Sequence, residues 1–129
     1  MRIGLVVAAG LVLAPGAWAE RVVFSVSFAW GEAALDAKAE AAVAGSIGRV
    51  LACERNGVTV LGHADMSEDN AAELATERAR AVKDALVAKG AANSAIGFVG
   101  RSDRQPVVPT ADGVREAKNR RAEIVVVCG

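Results

Sequence analysis

Asp65 and Arg78 are two residues whose types and spacing could do chemistry together. Arg78 lies in the stretch Asn70 to Lys89. Its apolar positions Leu74, Val82, Ala85 and Leu86 recur three and four residues apart, the pattern of a helix with one buried face. Arg78 stands midway between Leu74 and Val82 and therefore shares that face. A buried guanidinium is costly unless an anion meets it, either an internal carboxylate or a ligand. Asp65 ends Gly62-His63-Ala64-Asp65, just after the apolar run Val58 to Leu61. An acid at a strand end and a base on the next helix could together hold a zwitterion. Arg78 would offer a planar fork to a carboxylate, Asp65 would accept from an ammonium, and the helix start at Asn70 would add backbone N–H donors. Two plainer readings stand beside this one. Asp65 could cap a helix or fold its own loop, and Arg78 could pair internally with Asp65 and bind nothing.

The elements that must position these residues follow from periodicity. Arg21 to Trp30 alternates, with Val22, Phe24, Val26, Phe28 and Trp30 on one face and Ser25 and Ser27 on the other, which reads as a strand ended by Gly31. From about Ala33 to Cys53, Leu35, Ala39, Val43, Ile47, Val50 and Leu51 recur at helical spacing. Gly45 and Gly48 weaken that helix by about 1 kcal/mol each while allowing close packing. Asn56-Gly57 is a turn, Val58 to His63 a buried strand, Asn70 to Lys89 the second helix, and Gly90 its stop. Ala95 to Gly100 is a shorter strand. Arg101 to Gly113 is a long polar loop, a place where function often sits. Val114 to Asn119 forms a helical turn, and Arg121 to Val127 is the last strand. Arg120 shares a face with Ala122 and Ile124, which points a second arginine inward where that strand starts. The order β-α-β-α-β-(short α)-β predicts an α+β sandwich with a small mixed sheet.

The first nineteen residues read as a signal peptide. Arg2 is followed by the apolar stretch Ile3 to Leu13, the break Pro15-Gly16 and the small-x-small signal Ala17-Trp18-Ala19, which predicts cleavage before Glu20. Residues 20–129 then make one domain of ordinary size. In the oxidising compartment this implies, Cys53 and Cys128 read as a disulfide that ties the end of the first helix to the end of the last strand.

The 15 basic residues balance the 15 acidic ones, which argues against a nucleic-acid binder. Tyr is absent, so a stacking platform is not expected. No nucleophile-and-base constellation, HExxH or phosphate loop appears, so the chain reads as a non-enzyme that needs no cofactor. His63 is the one histidine. It reads as a packed, hydrogen-bonded residue rather than a metal ligand. Glu68, Asp69 and Glu73 with Glu77, Arg80 and Lys83 read as ordinary helix surface, and Arg121 with Glu123 as a solvated strand face.

Three segments carry a resemblance: Gly62-His63-Ala64-Asp65, then Leu74-x-x-x-Arg78-Ala79-x-x-Val82, then Asn119-Arg120-Arg121-Ala122-Glu123-Ile124. In this order and spacing the chain resembles the OmpA-like C-terminal domain, a peptidoglycan-associating module of envelope proteins. Phe28 to Leu35 is similar to that family's opening. The resemblance implies an OmpA-like two-layer sandwich in the periplasm of a Gram-negative envelope. It also implies non-covalent binding of the peptidoglycan stem peptide at meso-diaminopimelate. The family's binding residues fall on Asp65, Arg78 and Arg120. Asn70, one place before the family's asparagine position (Ala71 here), is the candidate for that role. The loop after Asp65 is about two residues shorter than the family's usual loop and lacks its glycine, and Ala75 replaces the usual Ser. A membrane-side protein partner or a homodimer would complete a tether to the outer membrane; otherwise the domain would act as a soluble wall-binding factor. The alternative is an envelope interaction module that kept the fold and lost the ligand. If Asp65 and Arg78 clamp the ligand, Arg78→Ala removes wall binding and spares the fold.

Overall fold

A computed structural model describes residues 20–102, 108–110 and 113–129. The expected signal peptide at residues 1–19 and the middle of the long loop lie outside the described residues. Four strands and two helices make an α+β sandwich: β1 (Glu20–Ser27), α1 (Ala37–Cys53), β2 (Val58–His63), α2 (Ala71–Ala88), β3 (Ile96–Ser102) and β4 (Arg121–Cys128), with short 3-10 turns between some of them. The sheet order is β1-β4-β2-β3. β4 is antiparallel to both β1 and β2, while β2 and β3 run parallel, so the sheet is mixed as expected. Parallel neighbours need a crossover, and α2 supplies it.

Both helices cover one face of the sheet. Val26 of β1, Val60 of β2 and Ile124 of β4 point to that face and are fully buried against Val43 and Val50 of α1 and Val82 and Leu86 of α2. Two strand glycines set how closely α2 approaches. A Cβ on Gly62 would lie 1.8 Å from the Ala75 carbonyl oxygen, and one on Gly100 would lie 2.6 Å from the Thr76 backbone nitrogen. Gly45 and Gly48 do not have the packing role expected of them, for a Cβ on either would meet nothing within 4 Å.

Boundaries differ from the periodicity reading where local chemistry intervenes. α1 begins at Ala37 rather than near Ala33, because Asp36 caps it by accepting from the Ala39 N–H at 2.8 Å. β1 stops at Ser27, before Phe28 and Trp30, and β3 runs on to Ser102. α2 closes with Lys89 and Gly90 N–H groups on its last carbonyls, Gly90 taking φ +112°. Arg121 overturns the expectation of a solvated strand face: it is buried, and its Nε donates to Glu123 at 2.8 Å. The disulfide is formed between Cys53, the last residue of α1, and Cys128, the last of β4. Among the described residues no helix is long and apolar enough to cross a membrane.

Candidate functional site

The polar centre lies above the end of β2, between the Phe28–Glu32 connection and the start of α2. Arg78 reaches it along the apolar row Leu74, Val82 and Leu86, as helical spacing demands, and is fully buried. All five of its N–H donors are used. Nε donates to the Glu32 carbonyl at 2.8 Å, and Nη1 and Nη2 donate to the carbonyls of His63 and Ala29 at 3.0 and 3.1 Å. The two remaining donors form a fork on the Glu68 carboxylate, at 2.8 and 2.5 Å. The Phe28 ring lies 5.2 Å beneath the guanidinium.

Glu68 is thus the anion that Arg78 required, and it is not helix surface. Its side chain is sealed from solvent. It accepts two further hydrogen bonds, from the backbone N–H groups of Gly31 and Asp65, each at 2.8 Å. Asp65 does not pair with Arg78. Its Oδ1 accepts from the Ser67 N–H and Oγ at 2.7 and 2.6 Å, and its Oδ2 from the Glu116 N–H and Arg120 Nη1 at 3.2 and 3.0 Å. Burial pushes the Asp65 carboxyl up. The hydrogen bonds from Ser67, Arg120 and Glu116 outweigh that push and hold it below the usual carboxylate range.

Arg120 lies just before β4 and is the one member of the two pairs that solvent reaches, with 16% of its side chain exposed. Its Nε donates to the Phe28 carbonyl. Beside it Asn119, quoted in the motif but given no role there, is buried and exchanges two hydrogen bonds with the backbone of Val108.

The centre is flanked by two clefts. One, of about 310 Å³, is lined by Trp30, Gly31, Asn70 and Leu74, with Asp69, Glu73 and Glu77 on its rim. The Trp30 indole is fixed there by donation to Ser67 Oγ at 2.9 Å and by the Arg115 guanidinium 4.4 Å over its ring. The other, of about 390 Å³, includes Phe28, Lys38, Lys118 and Arg120. The structure therefore brings Asp65, Arg78 and Arg120 together, with Glu68 as the unexpected fourth member. Asn70 stands apart on the wall of the first cleft, its side chain making no cap hydrogen bond and its backbone left-handed at φ 51°.

His63 lies on the sheet face away from the helices. It is packed as expected, but neither ring nitrogen makes a hydrogen bond; Nε2 lies 3.7 Å from a Glu123 carboxylate oxygen. Burial first, then the nearby Arg121 guanidinium, lowers its pKa to about 4 despite Glu123.

The OmpA family pattern matches residues 27–120, which spans both charge pairs, the two helices and the strands β2 and β3. The chain belongs to the OmpA family. Within it, this OmpA-family chain is 40% identical over 80 residues to the peptidoglycan-binding protein ArfA of Mycobacterium tuberculosis, a match that covers 60% of the chain and 24% of that relative. The chain thus matches about a quarter of the length of that curated relative. Its fold is that of the OmpA-like domain of FopA1 from Francisella tularensis, at TM-score 0.73 and 23% identity over 85% of this chain and 74% of that one. It is also similar to the cell wall anchor of the T6SS from Pseudomonas aeruginosa, at TM-score 0.71 and 26% identity over 84% of this chain and 82% of that one.

Proposed function

We propose that this OmpA-family domain binds peptidoglycan without catalysis, at the meso-diaminopimelate of the stem peptide, in the periplasm of a Gram-negative envelope. The observation that carries the reading is the convergence of Arg78, Asp65 and Arg120 between two clefts, one lined by Arg120 and the other by Gly31, which donates to the Arg78-bound Glu68. Diaminopimelate in a stem presents one carboxylate and one ammonium on a short arm. The guanidinium of Arg78 suits the carboxylate, and Asp65 together with the acid rim of the Trp30 cleft suits the ammonium. Asn70 would contact the same arm from the cleft wall. The name of the mycobacterial relative supports the wall as the target. Residues 1–19 would act as the leader that delivers the domain. A membrane-side protein or a second copy of the chain would complete a tether.

One observation favours a second reading. Arg78 and Asp65 are both fully hydrogen-bonded by the chain itself, as they would be in an envelope interaction module that no longer uses the ligand. Co-sedimentation separates the two. The wall reading expects the protein to pellet with diaminopimelate-type sacculi, to be released by free meso-diaminopimelate, and to ignore lysine-type sacculi that lack the extra carboxylate. Retention by neither wall type would favour the second reading, and equal retention by both would keep the wall as target and remove the diaminopimelate specificity.

A further inference from the structure

Four donors converge on the Glu68 carboxylate: Nη1 and Nη2 of Arg78 and the backbone N–H groups of Gly31 and Asp65. A cationic fork with two backbone amides is a complete carboxylate seat. Its occupant comes from the chain itself. Glu68 hangs on the connection between β2 and α2, outside any helix or strand. Its own backbone N–H is held by a 3.3 Å bond to the Asp65 carbonyl. Two residues on, Asn70 is the one non-glycine residue with positive φ among those described, a conformation that costs free energy. The seat adjoins the Trp30 cleft, because Gly31 both donates to Glu68 and lines that cleft.

We propose that Glu68 is an intramolecular competitor for the ligand carboxylate. The seat built by Arg78, Gly31 and Asp65 holds either Glu68 or the carboxylate of an incoming amino-acid head, and Glu68 swings toward solvent when the ligand enters. This rests on the stem-peptide reading and adds what sets its affinity. Exchange of one carboxylate for another keeps the buried guanidinium paired in both states, so the step avoids the cost of a lone buried charge. What remains is the opening of a short loop. Apparent affinity falls by the fraction of molecules in which the seat is open.

The test has three arms. Glu68→Ala empties the seat, so its melting temperature is expected to rise with added acetate, while chloride has no such effect and the parent stays unmoved. Glu68→Gln is expected to hold diaminopimelate-type sacculi about tenfold or more tightly than the parent, as for a competitor whose open state is a minor one. In the parent, saturation with meso-diaminopimelate should shift the carbon resonance of the Glu68 carboxyl group, an arm that needs no variant to fold. A Glu68 resonance unmoved by bound meso-diaminopimelate overturns the proposal and leaves the wall reading standing. So does a parent that binds sacculi as well as Glu68→Gln does. Rescue of Glu68→Ala by acetate, with no protein binding sacculi, supports the exchangeable seat and removes peptidoglycan as the source of its carboxylate.

Discussion

Arg78 joins three segments through one guanidinium, and that changes what its removal should do. With Glu68 sealed beside it, Arg78→Ala leaves a buried carboxylate without its counter-ion. The expected loss is about 3–5 kcal/mol of unfolding free energy, read by chemical denaturation. The fold is therefore expected to weaken, where the clamp reading of the sequence expects it to be spared. Burial of Arg78 was legible, because four-residue spacing from Leu74 and Val82 dictates its face. Its partner was not. Glu68 stands in a run of acids before a helix, where nothing local separates a buried carboxylate from a solvated one, and its burial depends on the approach of Ala29 to Glu32 from far along the chain. His63 makes a second prediction. In the folded state it stays neutral down to about pH 4, whereas in the unfolded chain it binds a proton near its ordinary value. Between those limits the unfolded state holds more protons, so stability rises with pH from about 4 to 6.5, by about 3 kcal/mol at most. His63→Leu should flatten that slope in urea titrations run across the range. Asp65 acts at lower pH. Its depressed folded pKa contributes stability above the unfolded value that is lost as pH falls through the folded one, so acid unfolding should steepen below about pH 4.

At the level of elements, α2 is held against β2 and β3 by the absence of two side chains. Gly62→Ala sets a methyl group against the Ala75 carbonyl, where only backbone movement can make room. We expect a loss of about 3 kcal/mol or more, or no folded protein at all, by thermal melts. Gly45→Ala, at an open helical position, should instead stabilise by about 1 kcal/mol. Asp36→Ala should cost about 1 kcal/mol through the lost cap. These contrasts mark the limit of pattern reading. Periodicity places the helices and strands and their inner faces, since hydrophobic spacing alone decides those. It does not say which glycine meets a neighbouring backbone, because that depends on the distance between layers. The same limit explains Arg121. Alternation puts it on the face away from the helices, as found, yet that face is not open at this end of β4.

On the scale of the whole molecule, the cystine links the end of α1 to the end of β4 across 75 residues. Replacing both cysteines with serine should cost about 4 kcal/mol on a chain-entropy account, seen as a lower denaturation midpoint. That pairing was legible because two cysteines in a chain read as exported leave one choice, whereas the order of strands was not, since periodicity is silent about neighbours. The order has its own consequence. β4 lies between β1 and β2, so two of the other three strands pair with the last one in chain order. Until Arg121–Cys128 emerges, β1 has nothing to pair with and β2 lacks its antiparallel neighbour. A truncation that removes this stretch therefore leaves β1 with no strand to pair with and only the parallel β2–β3 pair joined.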